Sequence, residues 1–131
     1  MTHWAEKYLG EPWSQECDCF GWFRIIQDKE FGRHIEDMDR TGCDLTRFAA
    51  HILSSDIPQN HYGWRKTNEP VDGDAVFLAR NIKPHHIGIV AIIDNNIHVV
   101  HAPEYRGIMI ADLRSLRLDG WKIDSYWTPK L

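Results

Sequence analysis

The sequence has few cysteines and no excess of positive charge, and both shortages limit what the protein can do. Its 131 residues include three cysteines and carry a formal net charge of -4 at pH 7. It has no basic stripe that would neutralise a phosphate backbone, so we expect no nucleic-acid partner. Three cysteines cannot all pair with one another, which excludes a framework in which every cysteine is in a disulfide. We expect instead a reducing compartment, with unpaired thiols, a metal site or one reactive cysteine.

Long apolar runs, internal repeats and low-complexity tracts are also missing. No window approaches the roughly 18 apolar residues of a membrane span, so we expect no membrane association. The start, MTHWAEKYLGEPW, has no positive end followed by an apolar core, and we expect synthesis in the cytoplasm without a signal peptide. The chain is 43% apolar and 11% aromatic, which predicts one domain over residues 1–131.

The first half of the chain has the periodicity of helices. One apolar stripe at helical spacing starts at Cys19 and continues through Trp22, Phe23 and Ile26, with Arg24, Gln27 and Asp28 on the opposite side. Asp18 is the expected N-cap of this helix, and Gly32 is its expected stop. A second helix is predicted after Asp44, ending between residues 54 and 58, and a short one over residues 4–9.

The second half has the pattern of strands. A turn at residues 70–73 precedes a short apolar run over residues 75–79. The runs HIGIVAII and IHVVHA predict a hairpin around residues 94–96, and GIMIADL and WKIDSYW are further candidate strands. We therefore predict an α+β fold in which N-terminal helices pack on a largely antiparallel sheet of about five strands.

Cys19 is the candidate nucleophile. A cysteine reacts as its thiolate, and the pKa of a thiol falls at a helix N-terminus or beside an imidazolium. Asp18 would place Cys19 at such a helix start, whereas Cys17 precedes the helix and lacks that advantage. The place of Cys19 on the apolar stripe also points its sulfur toward whatever the helix packs against.

Two histidines in the predicted hairpin could act on this thiol. If the loop takes residues 93–96, His101 lies opposite Gly88 and diagonal to His86, so the two rings could meet over the space that Gly88 leaves. A register slip of one residue would separate them. With the helix start docked against the face of His86 and Gly88, the set Cys19, His86 and His101 has a thiol, a base and a group that orients the base.

Simpler interpretations of these residues remain open. Buried cysteines and single histidines are more often structural than catalytic, and the tryptophans at positions 64, 121 and 127 are expected in the core or in a groove wall. A zinc site is a further alternative, with ligands drawn from Cys17, Cys19, Cys43 and His85 or His86. The spacing Cys-x-Cys differs from the common Cys-x-x-Cys pattern of structural zinc sites, so we expect no metal.

The order of four short motifs resembles that of the NlpC-type cell-wall cysteine peptidases, a papain-like family, and in particular its phage tail and prophage branch. The motifs are DCFGW, VDGDAVF, HIGIV and VVHAP, and YLGEPW resembles a Gly-x-Pro-aromatic segment upstream of the nucleophile. The resemblance covers most of the chain. By this resemblance Cys19 is the nucleophile, His86 the base and His101 the third polar residue of the triad.

The resemblance implies hydrolysis of an amide bond in peptidoglycan stem peptides, commonly the bond between D-γ-glutamate and a diamino acid, through an acyl-enzyme. Substrate contacts are then expected at Trp13, Gln15 and Asp18, with no cofactor. Peptidoglycan peptides would be the substrate, and phage tail proteins a possible partner. The protein would be associated with a virion tail or delivered to the cell wall by a non-classical route.

The chain also departs from the family pattern. Where members usually have a tyrosine and a Gly-Gly pair before the nucleophile, this chain has SQE, with Gln15 near the tyrosine position. Phe20 replaces the usual small residue after the cysteine. A catalytically inactive tail or assembly module of the same fold is therefore an alternative, and a zinc-stabilised structural domain is a third.

Overall fold

The computed structural model describes residues 3–14, 18–35, 64–80 and 84–129. Within these ranges the chain forms one open antiparallel sheet of six strands, with two α-helices and one 3-10 helix. The predicted combination of helices with an antiparallel sheet is confirmed, although the sheet has six strands rather than about five. The second helix predicted after Asp44 lies outside the described residues. None of the described helices is long and apolar enough to cross a membrane.

The six strands follow the spatial order β1-β6-β2-β3-β4-β5. Their bounds are Trp64–Thr67 (β1), Ala75–Ala79 (β2), Pro84–Ile93 (β3), Asn96–His101 (β4), Met109–Asp112 (β5) and Lys122–Pro129 (β6). β2 is buried along its whole length between β6 and β3, as its apolar run predicts. β1 was not predicted, because its residues, Trp-Arg-Lys-Thr, do not form an apolar run.

The long helix α1 spans Cys19–Phe31 and has the ends that the sequence predicts. Asp18 Oδ1 accepts a hydrogen bond from the Gly21 N–H at 2.8 Å, which satisfies one of the donors in the first turn. At the other end Gly32 adopts a left-handed conformation with φ 64°, and its N–H closes the last turn.

The assignment of Gln27 to the exposed side of this helix is wrong. Its side chain is fully buried, and its Nε2 donates to the Gly73 carbonyl at 2.8 Å. Arg33 Nη1 donates to the Gln27 Oε1 at 3.0 Å and to the same carbonyl of Gly73. The turn before β2 packs against the end of α1, which buries the Gly73 carbonyl. A buried carbonyl needs a hydrogen-bond donor. The periodicity of the sequence alone cannot show that Gln27 is needed as this donor.

Two apolar layers cover the two faces of the sheet. The layer under α1 joins Phe20, Phe23 and Ile26 to Phe77, Ile87, Ile89 and Val100. The opposite layer contains Val76, Leu78, Val90, Val99, Leu116 and Trp121. Alternate residues of the central strands therefore belong to different layers, as expected for a sheet that is buried on both sides.

A short helix, α2, spans Leu113–Leu118 between β5 and β6, so the prediction that helices only precede the sheet is wrong. Asp112 Oδ1 caps α2 by accepting from the Ser115 N–H at 2.8 Å, and Leu116 buries its side chain in the second layer. The helix has only six residues, too few for a periodic apolar pattern to identify it.

The hairpin between β3 and β4 has the predicted register but a shorter loop. Ile93 pairs with Asn96, which leaves Asp94 and Asn95 as a two-residue loop. Both have positive φ, 51° and 64°, as the tight turns of hairpins require. Ile89 pairs with Val100, so the next position along places Gly88 opposite His101.

The N-terminal segment lies beside the segment that follows β4. A 3-10 helix spans Trp4–Tyr8, within the predicted residues 4–9, and the Tyr8 hydroxyl donates to Glu30 Oε2 at 2.6 Å. The following residues form hydrogen bonds with the segment 106–108, including the Trp13 N–H to the Arg106 carbonyl at 3.1 Å. These bonds place Trp13 beside the loop that follows β4.

Candidate active site

The three predicted catalytic residues come from three neighbouring elements. Cys19 is the first residue of α1, His86 lies near the start of β3, and His101 is the last residue of β4. The start of β3 and the end of β4 are at the same end of the sheet, because the two strands are antiparallel. The structure brings the N-terminus of α1 to that end as well, since Cys19 and His86 line one cleft.

The two histidine rings are in direct contact, as the hairpin register predicts. His86 Nε2 lies 2.8 Å from His101 Nδ1, and the ring centroids are 5.0 Å apart with the planes at 77°. Both rings are buried, with 5% and 3% of their surface exposed. A Cβ at Gly88 would lie 3.2 Å from the His101 Cβ and 2.7 Å from Val99 Cγ1, so this close approach depends on the glycine.

The expected docking of α1 against the face of His86 and Gly88 is wrong. On β3, Ile87 and Ile89 pack with α1, whereas Val90 belongs to the layer that contains Trp121. By strand alternation His86 and Gly88 share the face of Val90. Cys19 therefore reaches the cleft from the end of the sheet, and counting along the strand could not show which layer covers which face.

Burial strongly affects His101. Desolvation lowers the pKa of His101 from 6.5 to about 4, so the ring is neutral at neutral pH. Nearby charges have smaller effects: the Asp119 carboxylate raises the pKa of His101, while Arg80 and Arg106 lower it. Among the described residues, His101 Nε2 has no hydrogen-bond partner. A neutral His101 can accept a hydrogen bond at Nδ1 only when its proton is on Nε2.

The cleft has a volume of about 530 Å³ and contains most of the predicted site. Cys19, His86 and the predicted substrate residues Trp13 and Asp18 line it, whereas Gln15 lies outside the described residues. The Cys19 side chain is half-buried. His101 lies behind this cleft, and it borders with Cys19 a second cavity of about 10 Å³, roughly enough for one water molecule.

The sequence did not predict the charged wall of this cleft. Arg80, which follows β2, donates from Nη2 to the Asp119 carbonyl at 3.2 Å. Arg106 Nη1 lies 3.9 Å from Asp119 Oδ2. With Glu104 also in the wall, the cleft carries charges of both signs. A ligand with both ammonium and carboxylate groups would find complementary charges there.

The outer rim of the cleft is aromatic. The Arg106 N–H donates to the Pro103 carbonyl at 3.0 Å, and this turn places Tyr105 at φ 65° with 80% of its surface exposed. The Tyr105 ring centroid is 5.1 Å from that of Trp13. Positive φ is uncommon for a residue other than glycine, and Tyr105 has no motif around it that would have revealed this position from the sequence.

Within the described ranges, no group of three or more His, Cys, Asp or Glu side chains is arranged to hold a metal ion. Cys17 and Cys43, which the zinc alternative requires, lie outside these ranges. The side chains of ligand type that line the cleft are Cys19, His86, Asp18, Glu104 and Asp119. Asp18 is engaged in capping α1, so its carboxylate has a structural partner.

Comparison of the chain with protein-family models, with curated proteins and with solved structures gave no match. The residues of the site are therefore the basis for a function. A thiol at a helix start, an imidazole in the same cleft and a second imidazole bonded to the first are the parts that nucleophilic catalysis by cysteine requires.

Proposed function

We propose that the protein is a cysteine peptidase with the NlpC-type papain-like fold, and that it hydrolyses an amide bond in peptidoglycan stem peptides. The bond between D-γ-glutamate and a diamino acid is the proposed target. One observation carries this proposal: the cleft that holds the Cys19 thiol also holds His86, whose Nε2 is bonded to His101. The order of motifs in the sequence supports the choice of substrate.

The His86–His101 hydrogen bond decides which nitrogen serves the thiol. Because Nε2 of His86 is bonded to His101, Nδ1 is the nitrogen that takes the proton from Cys19 Sγ. The resulting imidazolium donates from Nε2–H to Nδ1 of the neutral His101. That bond stabilises the positive charge on His86 while the thiolate forms.

The thiolate then attacks the carbonyl carbon of the scissile amide. The tetrahedral intermediate collapses when the C–N bond breaks, and His86 gives its proton to the leaving amine. Water, deprotonated by His86, attacks the thioester carbonyl, and the acid product leaves as the Cys19 thiol is restored. Donors in the first turn of a helix have no acceptor within that helix, so the Cys19 backbone N–H is our candidate donor to the oxyanion.

The lining of the cleft supports a peptide substrate with charged groups. Trp13 and Asp18 line the cleft beside Cys19, while Arg80, Arg106 and Asp119 supply both signs of charge. Stem peptides carry carboxylates and amines close to the scissile bond. The proposed setting is a phage tail or delivery to the cell wall by a non-classical route, with tail proteins as partners.

Digestion of purified muropeptides tests the proposal. We expect new fragments in the mass spectrum that correspond to a cut stem, and loss of these fragments in Cys19→Ala and His86→Ala. Cys17→Ala is the matched control, and it should cleave like the parent protein. Circular dichroism confirms that each variant is folded. Equal cleavage by Cys19→Ala would refute the mechanism, and a parent protein that leaves every muropeptide intact would refute the choice of substrate.

A further inference from the structure

Trp121 forms one wall of the site and lies flat against His86. The ring centroids are 4.6 Å apart, and the planes are inclined by 20°. The indole is nearly perpendicular to the His101 ring, at 84° with a centroid distance of 6.4 Å. The three rings therefore form a compact set in which His86 is stacked on Trp121 and meets His101 edge to face.

The fold holds this indole firmly. The backbone N–H of Trp121 donates to the Leu116 carbonyl at 2.9 Å, just after α2, and the side chain packs in the layer that contains Leu78 and Leu116. The Arg80 guanidinium carbon lies 4.0 Å from the centroid of the Trp121 ring. Arg80 is in turn bonded to the Asp119 carbonyl. Only 5% of the Trp121 surface is exposed.

A histidine ring has two rotations to be fixed, and the two contacts of His86 act on different ones. The hydrogen bond to His101 fixes which edge of the ring points to β4. The same hydrogen bond restrains the tilt of the ring plane only weakly, because a single hydrogen bond tolerates a range of angles. A flat indole at stacking distance limits that tilt and keeps water from one face of the ring. An aromatic face also favours a cation, so it supports the imidazolium of His86.

We propose that Trp121 is a positioning residue that keeps His86 aligned between His101 and the Cys19 thiol. Its role in hydrolysis rests on the proposed function, but its effect on the thiol can be measured without any substrate. Trp121 itself does not touch the reacting atoms in this scheme. It acts through the orientation and the charge of His86.

Other charged or titratable groups face the same place and must stay unchanged in a test. They are Asp18 and Cys19 at the start of α1, His101 from β4, Arg80 after β2, Glu104, Tyr105 and Arg106 after β4, and Asp119 after α2. A substitution at Trp121 alters none of these charges. An effect on thiol reactivity would therefore come from the lost indole, which contacts both His86 and Arg80, and Arg80→Ala measures the part that passes through Arg80.

Alkylation of Cys19 by iodoacetamide between pH 5 and pH 9 is the test. All proteins carry Cys17→Ser, and mass spectrometry of the Cys19 peptide gives the rate. We expect Trp121→Leu to lower the rate near pH 6 by about tenfold, the equivalent of one pKa unit. Trp121→Phe keeps an aromatic face and should stay within about threefold of the parent. Trp64→Leu is the matched control, since Trp64 is also buried but does not line the cleft.

An unchanged pH profile in Trp121→Leu, or an equal change in Trp64→Leu, would overturn the proposal. If Trp121→Leu does not fold, the parent protein and Trp121→Phe remain informative through NMR. Stacking on an indole should move the ring C–H resonances of His86 upfield in the parent, and less so in Trp121→Phe. Unshifted His86 resonances in the parent would also refute the inference. If the alkylation profiles are as expected but muropeptides are not cleaved, only the proposed function is refuted.

Discussion

His86 and His101 are joined by a hydrogen bond of 2.8 Å between His86 Nε2 and His101 Nδ1, and this bond gives the two rings different tasks. His101 is neutral at neutral pH because burial lowers its pKa to about 4. A neutral His101 can accept a hydrogen bond from an imidazolium at His86 without adding a second positive charge. In the proposed mechanism His86 is therefore the ring that exchanges protons, and His101 is the ring that orients it.

The lowered pKa of His101 predicts that acid destabilises the fold. The unfolded chain binds a proton at this histidine near pH 6.5, whereas the folded chain does so only near pH 4. The unfolded state thus holds more protons between these values, and the free energy of unfolding falls as pH drops from about 6.5 to about 4. The expected loss is about 3 kcal/mol, from 1.36 kcal/mol per pKa unit.

Urea denaturation at pH 7, 5.5 and 4 measures this loss, with His101→Asn as the comparison. The variant should show a weaker dependence on pH, because its side chain does not titrate. Burial also raises the pKa of Asp74, which favours folding at low pH in both proteins. The test is therefore the difference between the parent protein and His101→Asn in how the free energy of unfolding depends on pH. Parallel curves for the two proteins would contradict the prediction.

Local signals explain what could be predicted from the sequence. Asp18 and Gly32 mark the ends of α1, because capping depends on residues next to the helix. The contact between His86 and His101 follows from the hairpin register, in which β-branched runs flank residues that tolerate a tight turn. These features depend on residues that are close in the chain.

Long-range packing explains what could not be predicted. Gln27 is buried because the turn at Gly73, 46 residues away, needs a donor for its carbonyl. Trp121 reaches His86 only because α2 turns the chain back across the sheet. The layer that covers each face of β3 depends on the whole topology, so strand alternation alone placed α1 against the wrong face.

Asp18→Ala should weaken the start of α1. Its carboxylate accepts the Gly21 N–H, and loss of such a cap lowers the free energy of unfolding by about 1 kcal/mol. Asp18→Ser keeps an oxygen that can accept this bond, so it should restore most of the loss. Urea denaturation at pH 7 distinguishes the two variants. Equal stability of Asp18→Ala and the parent protein would show that the cap does not stabilise the fold.

Gln27→Met should destabilise the protein although it conserves volume. The variant loses the bond to the Gly73 carbonyl and leaves Arg33 without one of its acceptors, which together cost about 1–3 kcal/mol. Asp28→Asn is the neighbouring control, since that side chain is exposed and its replacement should cost less than about 0.5 kcal/mol. Thermal and urea denaturation measure both variants. Similar stabilities for both variants would argue against a structural role for Gln27.

Gly88→Ala should disturb the site through a single methyl group. The new Cβ would lie 2.7 Å from Val99 Cγ1, 2.9 Å from the Val100 carbonyl oxygen and 3.2 Å from the His101 Cβ. Backbone and β-carbon atoms cannot rotate away, so β4 must shift from β3, at a cost of about 1–3 kcal/mol. That shift moves His101 relative to His86. Both the free energy of unfolding and the alkylation rate of Cys19 near pH 6 should therefore fall. Trp64→Leu should lose stability but keep this rate, and a Gly88→Ala protein with unchanged reactivity would show that the 2.8 Å bond between the histidines does not control the thiol.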